Sequence, residues 1–292
     1  MLDFLPRAPD INKYAIFMKT TPVKTRLGFA LTLGLALAIP TANAQIVSSI
    51  ESPAQVSIIG LGMGAAPDYM GSASARRGAV PVFRYQFYDG TYVLLLGTRA
   101  SFNLSSDENW RFGPMINYRF GRGSSVEDPV VKRMVGVNGA AETGVFLAYS
   151  TTLGAKNTSK IDLSGNIAGS NNGAVANLRM TYRLQLSQAN QISIGVGTTL
   201  ANENWMRTYF GVTQASDIAL YPSLAGRPFN AGSGVKGVNV TLGLTQALSK
   251  NWLMSFGFRY EKLMNAAKDS PITAERGKSN QWMNAVVLSY VF

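Results

Sequence analysis

Ala174-Val-Ala-Asn-Leu-Arg-Met-Thr-Tyr-Arg-Leu-Gln-Leu186 alternates from end to end: Ala174, Ala176, Leu178, Met180, Tyr182, Leu184 and Leu186 take one parity, and Val175, Asn177, Arg179, Thr181, Arg183 and Gln185 the other. Successive side chains of a strand point to opposite faces, so this segment reads as a strand with one apolar and one polar face. Thirteen residues are more than the five or six of an ordinary strand, and they reach the roughly 9 to 11 that a tilted strand needs to cross a bilayer.

The same reading extends outward in both directions. In Gln191–Ala201, Ile192, Ile194, Val196, Thr198 and Leu200 share one face, and Ser193, Gly195, Gly197 and Thr199 the other. Further candidate strands are 56–64, 79–87, 92–104, 110–120, 141–149, 160–168, 237–248, 252–264 and 281–292. Turn formers separate them at Tyr88-Asp-Gly-Thr91, Ser170-Asn-Asn-Gly173, Ser187-Gln-Ala-Asn190 and Ser249-Lys-Asn251, which predicts hairpins running up and down. Aromatic residues fall near strand ends on the apolar parity (Trp110, Phe120, Trp252, Tyr260, Trp282, Tyr290, Phe292), the pattern of girdles at two membrane interfaces. A secreted sandwich would need bulky residues on the second face, where this chain has Gly, Ser, Thr, Asn and Arg. In hydrocarbon only a closed sheet satisfies every backbone group, so the expected fold is all-β: a transmembrane, antiparallel, up-and-down barrel. An even strand number is required. Eleven segments plus Arg207-Thr-Tyr-Phe-Gly-Val212 give twelve, with ten as the alternative; 65–78, 213–235 and 265–279 are expected as outward loops.

Composition narrows the chemistry. The 292 residues contain no cysteine and no histidine, which removes disulfides, the commonest zinc ligands and the commonest general base. Histidine-dependent triads and barrel hydrolases go with them, so a non-catalytic protein without metal or cofactor is expected.

Residues 27–39 form a 13-residue apolar run that follows Lys19, Lys24 and Arg26 and precedes Pro40 and Ala42-Asn-Ala44. This order is that of a secretory signal peptide, and 13 helical residues are too few to span a bilayer. We expect cleavage between Ala44 and Gln45, which divides the chain into an N-terminal extension with signal peptide (1–44) and an outer-membrane barrel domain (45–292). Met18-Lys-Thr-Thr also begins a conventional signal peptide, so Met1 and Met18 are both candidate starts. The part after residue 44 keeps 22 basic residues against 14 acidic ones. An exported chain with dispersed Lys and Arg is not expected to bind nucleic acid.

Three stretches carry a family resemblance: Gly60-Leu-Gly-Met-Gly-Ala-Ala-Pro-Asp-Tyr-Met-Gly-Ser72, Trp205-Met-Arg-Thr-Tyr-Phe-Gly-Val-Thr213 and Asp269-Ser-Pro-Ile-Thr-Ala-Glu-Arg-Gly-Lys-Ser-Asn-Gln281. In these the sequence resembles the MltA-interacting protein (MipA/OmpV) family of Gram-negative outer membranes, over essentially all of the exported part. It departs from the family where Met70 replaces an acidic residue and where Arg76 and Arg77 stand in the expected first loop. The resemblance implies an outer-membrane scaffold that joins a lytic transglycosylase to a murein synthase, with adhesin-like members beside it; it implies no catalytic residues. Outer-membrane lipid and lipopolysaccharide are the surroundings it implies.

Parity places Arg84, Arg99, Arg111, Arg119, Arg179, Arg183 and Arg259 on polar faces, together with Glu142, Asp162 and Glu261. Seven cations against three carboxylates admit two readings: a lumen that attracts anions, hence a narrow anion-preferring pore, or a lumen filled by its own ion pairs. The second gives the carboxylates a purpose. Gly60-Leu-Gly-Met-Gly64 lacks phosphate-loop spacing and reads as strand packing. Asp107-Glu108 and Glu127-Asp128 read as solvated loop charges.

Overall fold

A computed structural model describes residues 56–154 and 159–292. The signal peptide, its cleavage site at Ala42, Ala44 and Gln45, and the alternative starts lie outside the described residues.

Twelve antiparallel strands close into one barrel, each paired with its neighbours in sequence and the last with the first. They are β1 (Ile58–Pro67), β2 (Ala75–Gln86), β3 (Tyr92–Leu96), β4 (Arg99–Asn103), β5 (Trp110–Arg119), β6 (Ala140–Leu153), β7 (Ser159–Ser170), β8 (Gly173–Gln185), β9 (Asn190–Ala201), β10 (Gly234–Ala247), β11 (Trp252–Leu263) and β12 (Asn280–Val291). The number is the expected twelve, composed differently. Segment 92–104 is not one wall strand: it folds at Gly97-Thr98 into the β3–β4 hairpin, with Leu96 opposite Arg99. Arg207–Val212 is not a strand, because it lies in helix α1 (Glu203–Phe210) and the residues after it. Asn202 caps that helix by accepting from the Trp205 N–H, and the apolar pairs Trp205/Tyr209 and Met206/Phe210 have the four-residue spacing of a buried helical face.

Alternation governs the wall. In β12, Trp282, Val286, Leu288 and Tyr290 are exposed to the outside, whereas Met283, Ala285 and Val287 are buried. Interfacial aromatics touch in pairs at both ends: Trp110 with Tyr149 and Trp252 with Tyr290 at one, Tyr118 with Phe120 and Tyr260 with Trp282 at the other. β1 and β12 meet along a seam in which glycine is required: a Cβ on Gly62 would lie 2.0 Å from the Val286 carbonyl oxygen.

Connections at the end where β1 begins and β12 ends are short. At the other end the β3–β4 and β7–β8 turns have two residues each, but three connections are long: 120–139, 202–233 and 264–279, the last holding α3 (Asn265–Asp269) and α4 (Pro271–Ala274), and the second holding α1 and α2 (Ala215–Ile218). The first loop is shorter than expected, since β1 runs to Pro67 and β2 starts at Ala75. Arg76 and Arg77 are therefore strand residues. These loops fold over the barrel mouth as a cap with its own apolar core of Tyr69, Val126, Val131, Met134, Val212, Tyr221 and Ile272. A latch joins the first and last strands beneath it: Ser72 bridges to Gly277, the Gly71 N–H donates to Gln281 Oε1, and Gln281 Nε2 donates to the Ser72 carbonyl.

Candidate functional site in the barrel lumen

The structure places all ten charged residues read from parity on the inner face, in two layers. Nearest the cap, Arg119 and Glu142 face each other across β5 and β6 with a two-pronged ion pair of 2.6 and 2.8 Å. Asn117 Nδ2 donates to Glu142 at 3.0 Å, and so does the indole N–H of Trp205. That Trp comes from α1, whose buried face enters the lumen: Trp205 is 1% exposed, and the Arg119 guanidinium lies 4.9 Å above its ring. A second buried cluster sits beside it, Glu261 paired with Lys236 at 2.6 Å and with Arg259 at 3.5 Å.

The layer toward the terminal end is more cationic. Asp162 takes Arg111 at 2.7 Å and Arg183 at 3.0 Å, and Ser150 donates to it. Arg84 donates to Gln86 at 2.6 Å and stacks on Tyr92, while Arg99 lies over Phe146. Arg99, Arg111, Arg179, Arg183 and the single carboxylate Asp162 line a cavity of about 70 Å³, room for roughly five waters. A cavity of about 50 Å³ continues from Arg99 and Arg179 to Arg119 and Glu142, and one of about 40 Å³ lies past Arg119 beneath the cap. The charged part of the lumen is thus a file of small chambers, beside an apolar sector of Ile58, Val80, Val82, Leu96 and Val287.

Parity could not supply two of these participants. Lys236 precedes Gly237, the expected start of its strand, and the register shifts between Val235 and Gly237, which moves it onto the inner face. Trp205 belongs to a loop, and only the Asn202 cap and the helical spacing announce it. Asp128 is no solvated charge either. It accepts from the Val130 and Val131 N–H groups and pairs with Arg276 at 2.9 Å. Burial works to raise its carboxyl, but those two N–H groups and the guanidinium outweigh this and hold it below the usual carboxylate range. In the same cap core, burial and the nearby Asp128 charge push the Tyr69 hydroxyl up to about 12. Among the described residues no cluster of acidic, histidine or cysteine side chains could hold a metal ion.

A closed twelve-strand barrel with an apolar outer band, two aromatic girdles, short turns at the end where β1 begins and β12 ends, and three long loops opposite is an outer-membrane β-barrel, with the short-turn end on the periplasmic side. The chain belongs to the family described as MltA-interacting protein MipA, whose model matches residues 59–292. Among solved structures it is similar to the NanC porin (7% identity over 80% of this chain and 98% of that one, TM-score 0.46). It is also similar to the COG4313 outer membrane channel from Pseudomonas putida F1 (12% identity, 83% and 97% coverage, TM-score 0.43) and to the channel DcaP of Acinetobacter baumannii (6% identity, 81% and 96% coverage, TM-score 0.38). A comparison with curated protein sequences returns no match.

Proposed function

We propose that this protein is a non-conducting outer-membrane barrel that works by binding, as a scaffold for murein-remodelling enzymes at its periplasmic rim. The observation that carries the reading is the plug: α1 seats Trp205 against Glu142 and Arg119, and the cavities on either side of that layer hold only a few waters each. A wall so filled leaves protein surface, not solute passage, as the functional part. The name of the family supports MltA, a lytic transglycosylase, as partner, and the murein synthase follows only from what the resemblance implies. The absence of histidine and cysteine from the sequence supports binding over catalysis.

A pull-down of the purified barrel against envelope extract, read by mass spectrometry, tests the scaffold. A murein hydrolase or synthase should co-purify, and should still do so when Arg179 and Arg183 are neutralised. One observation favours a second reading, the anion-preferring pore: four arginines against one carboxylate around the 70 Å³ chamber. Steady, chloride-selective conductance in planar bilayers, weakened by neutralising Arg179 and Arg183, would replace the scaffold with the pore.

A further inference from the structure

The wall is uneven at one place. β3 and β4 have five residues each, whereas the other ten strands have 10 to 14. Tyr92 of β3 pairs with Gln86, the last residue of β2, so at the periplasmic end the hairpin is flush and the shortfall lies at the outer end. Pairing between β2 and β3 stops at Val82 with Leu96, and seven residues of β2, Ala75–Pro81, rise beyond it. Among the described residues, the only further backbone bond on that side is from the Gly97 N–H to the Pro81 carbonyl. Among the described residues no strand pairs with the rest of this edge.

The result is a window in the outer half of the barrel. β2 flanks it on one side; on the other, β5 ends at Arg119, one residue past the Tyr118 N–H that bonds Thr98, and loop 120–139 continues from it. At the sill β2 and β5 are three strand spacings apart, or about 14 Å at roughly 4.8 Å each. The Gly97-Thr98 turn forms its sill. Its roof is loop 120–139, tied to the first loop where the Glu127 N–H donates to Asp68 and where Arg76 reaches both Asp68 and Ser125.

The chemistry of the rim selects an occupant. Odd-numbered residues of β2 aim their backbone groups at β3, as Pro81 does, and even-numbered ones aim at β1. The edge therefore presents the N–H and C=O of Arg77 and Ala79 to the window, and Pro81 has no N–H to leave unbonded. Arg77 and Asn284 both pair with Ala65 across β1, which sets Arg77 two residues from Trp282 of the outer girdle. Its side chain is exposed on the lipid-facing side. A strand edge at the level of the outer girdle needs a polar partner, and a lipid phosphate lies at that level; here the donors are two N–H groups beside a guanidinium. We propose that the window is a binding site for the phosphate head of an outer-leaflet lipid, held by the Arg77 and Ala79 edge and the Arg77 guanidinium.

The test is native mass spectrometry of the detergent-purified barrel with bisphosphorylated lipid A and with its dephosphorylated form. The phosphorylated lipid should be retained preferentially. Arg77→Ala should cut that retention about tenfold, the equivalent of one charge-assisted hydrogen bond. Lys262→Ala, exposed near the same girdle on fully paired β11, should leave it unchanged. Ala79→Pro deletes one N–H that β1 does not use and should also lower retention; a heat-modifiable band on gels verifies that each variant is folded, and if the proline variant is not, the arginine pair decides alone. Equal retention of the two lipid forms, equal effects of Arg77→Ala and Lys262→Ala, or displacement of lipid by inorganic phosphate at the same concentration would overturn the proposal.

Discussion

The molecule has two interiors built on opposite principles. Inside the barrel, Arg119, Glu142, Asp162, Lys236, Arg259 and Glu261 are buried in ion pairs, and the apolar side chains Ile58, Val80, Val82, Leu96, Met283, Ala285 and Val287 are confined to the sector of β1–β3 and β12; under the loops, Tyr69, Val131, Tyr221 and Ile272 form an apolar core. The difference lies in what borders each on the outside. The wall's other face meets hydrocarbon, so an apolar side chain can be buried on either face, while a charged one escapes a cost of several kcal/mol by turning inward. The cap's other face meets water, and there the ordinary hydrophobic order returns.

That contrast can be broken most directly at Glu142. Glu142→Leu leaves Arg119 buried without its carboxylate, and should destabilise the barrel by about 3 to 5 kcal/mol in urea titrations in detergent, whereas Glu142→Leu with Arg119→Leu recovers most of the loss. An unaffected single variant would mean that pairing does not hold the lumen together. On the wall's outer face the expectation reverses. Met180→Arg, at mid-strand on the lipid side, should cost roughly 2 to 4 kcal/mol, and Gln185→Arg, inward and near the strand end, should be tolerated. Equal damage from both would erase the distinction between faces.

Ile272→Ala sharpens the comparison. Removing a fully buried side chain from the cap should cost about 2 to 3 kcal/mol, seen as faster proteolysis in 120–139 with the barrel's own unfolding midpoint unchanged. A parallel fall of that midpoint would merge the two interiors into one cooperative unit. The smallest effect is acid loosening of the cap. The Asp128 carboxyl is depressed in the folded state, so its contribution is present above the unfolded value near 3.9 and is lost as pH falls through the lower folded value. Pepsin should leave the cap intact at pH 5 and begin to cut it below about pH 4. Asp128→Asn should mimic this at neutral pH, at a cost of about 1 kcal/mol. Cutting at equal rates across that range would remove Asp128 from the cap's support.

The barrel was legible because period two is a local signal repeated in every strand, and the lumen arginines were legible for the same reason. What escaped was non-periodic. The β3–β4 hairpin hides in Leu94-Leu95-Leu96, where alternation lapses just before Gly97-Thr98, and Arg207–Val212 mimics a strand because its Tyr and Phe suit a strand by composition and a helix by spacing. Parity says which face a charge takes and nothing about its partner. Arg111 and Asp162 are 51 residues apart and meet only because β5, β6 and β7 lie side by side in the wall. Lys236 was concealed by a one-residue slip in register, which moves a side chain to the opposite face.

The latch between Ser72, Gly277 and Gln281 sets a chronology. Its halves lie some 200 residues apart in sequence and are brought together only when β12 finds β1, and the cap core likewise gathers Tyr69 with Ile272 from the two sides of that seam. Contacts of such separation are the last to form in a folding chain. Protection of the outer loops from protease is therefore a stopwatch for the final step of assembly. A barrel whose seam is still open should present every strand to the membrane and yet keep its loops cleavable, so that the moment of closure can be timed from outside the cell.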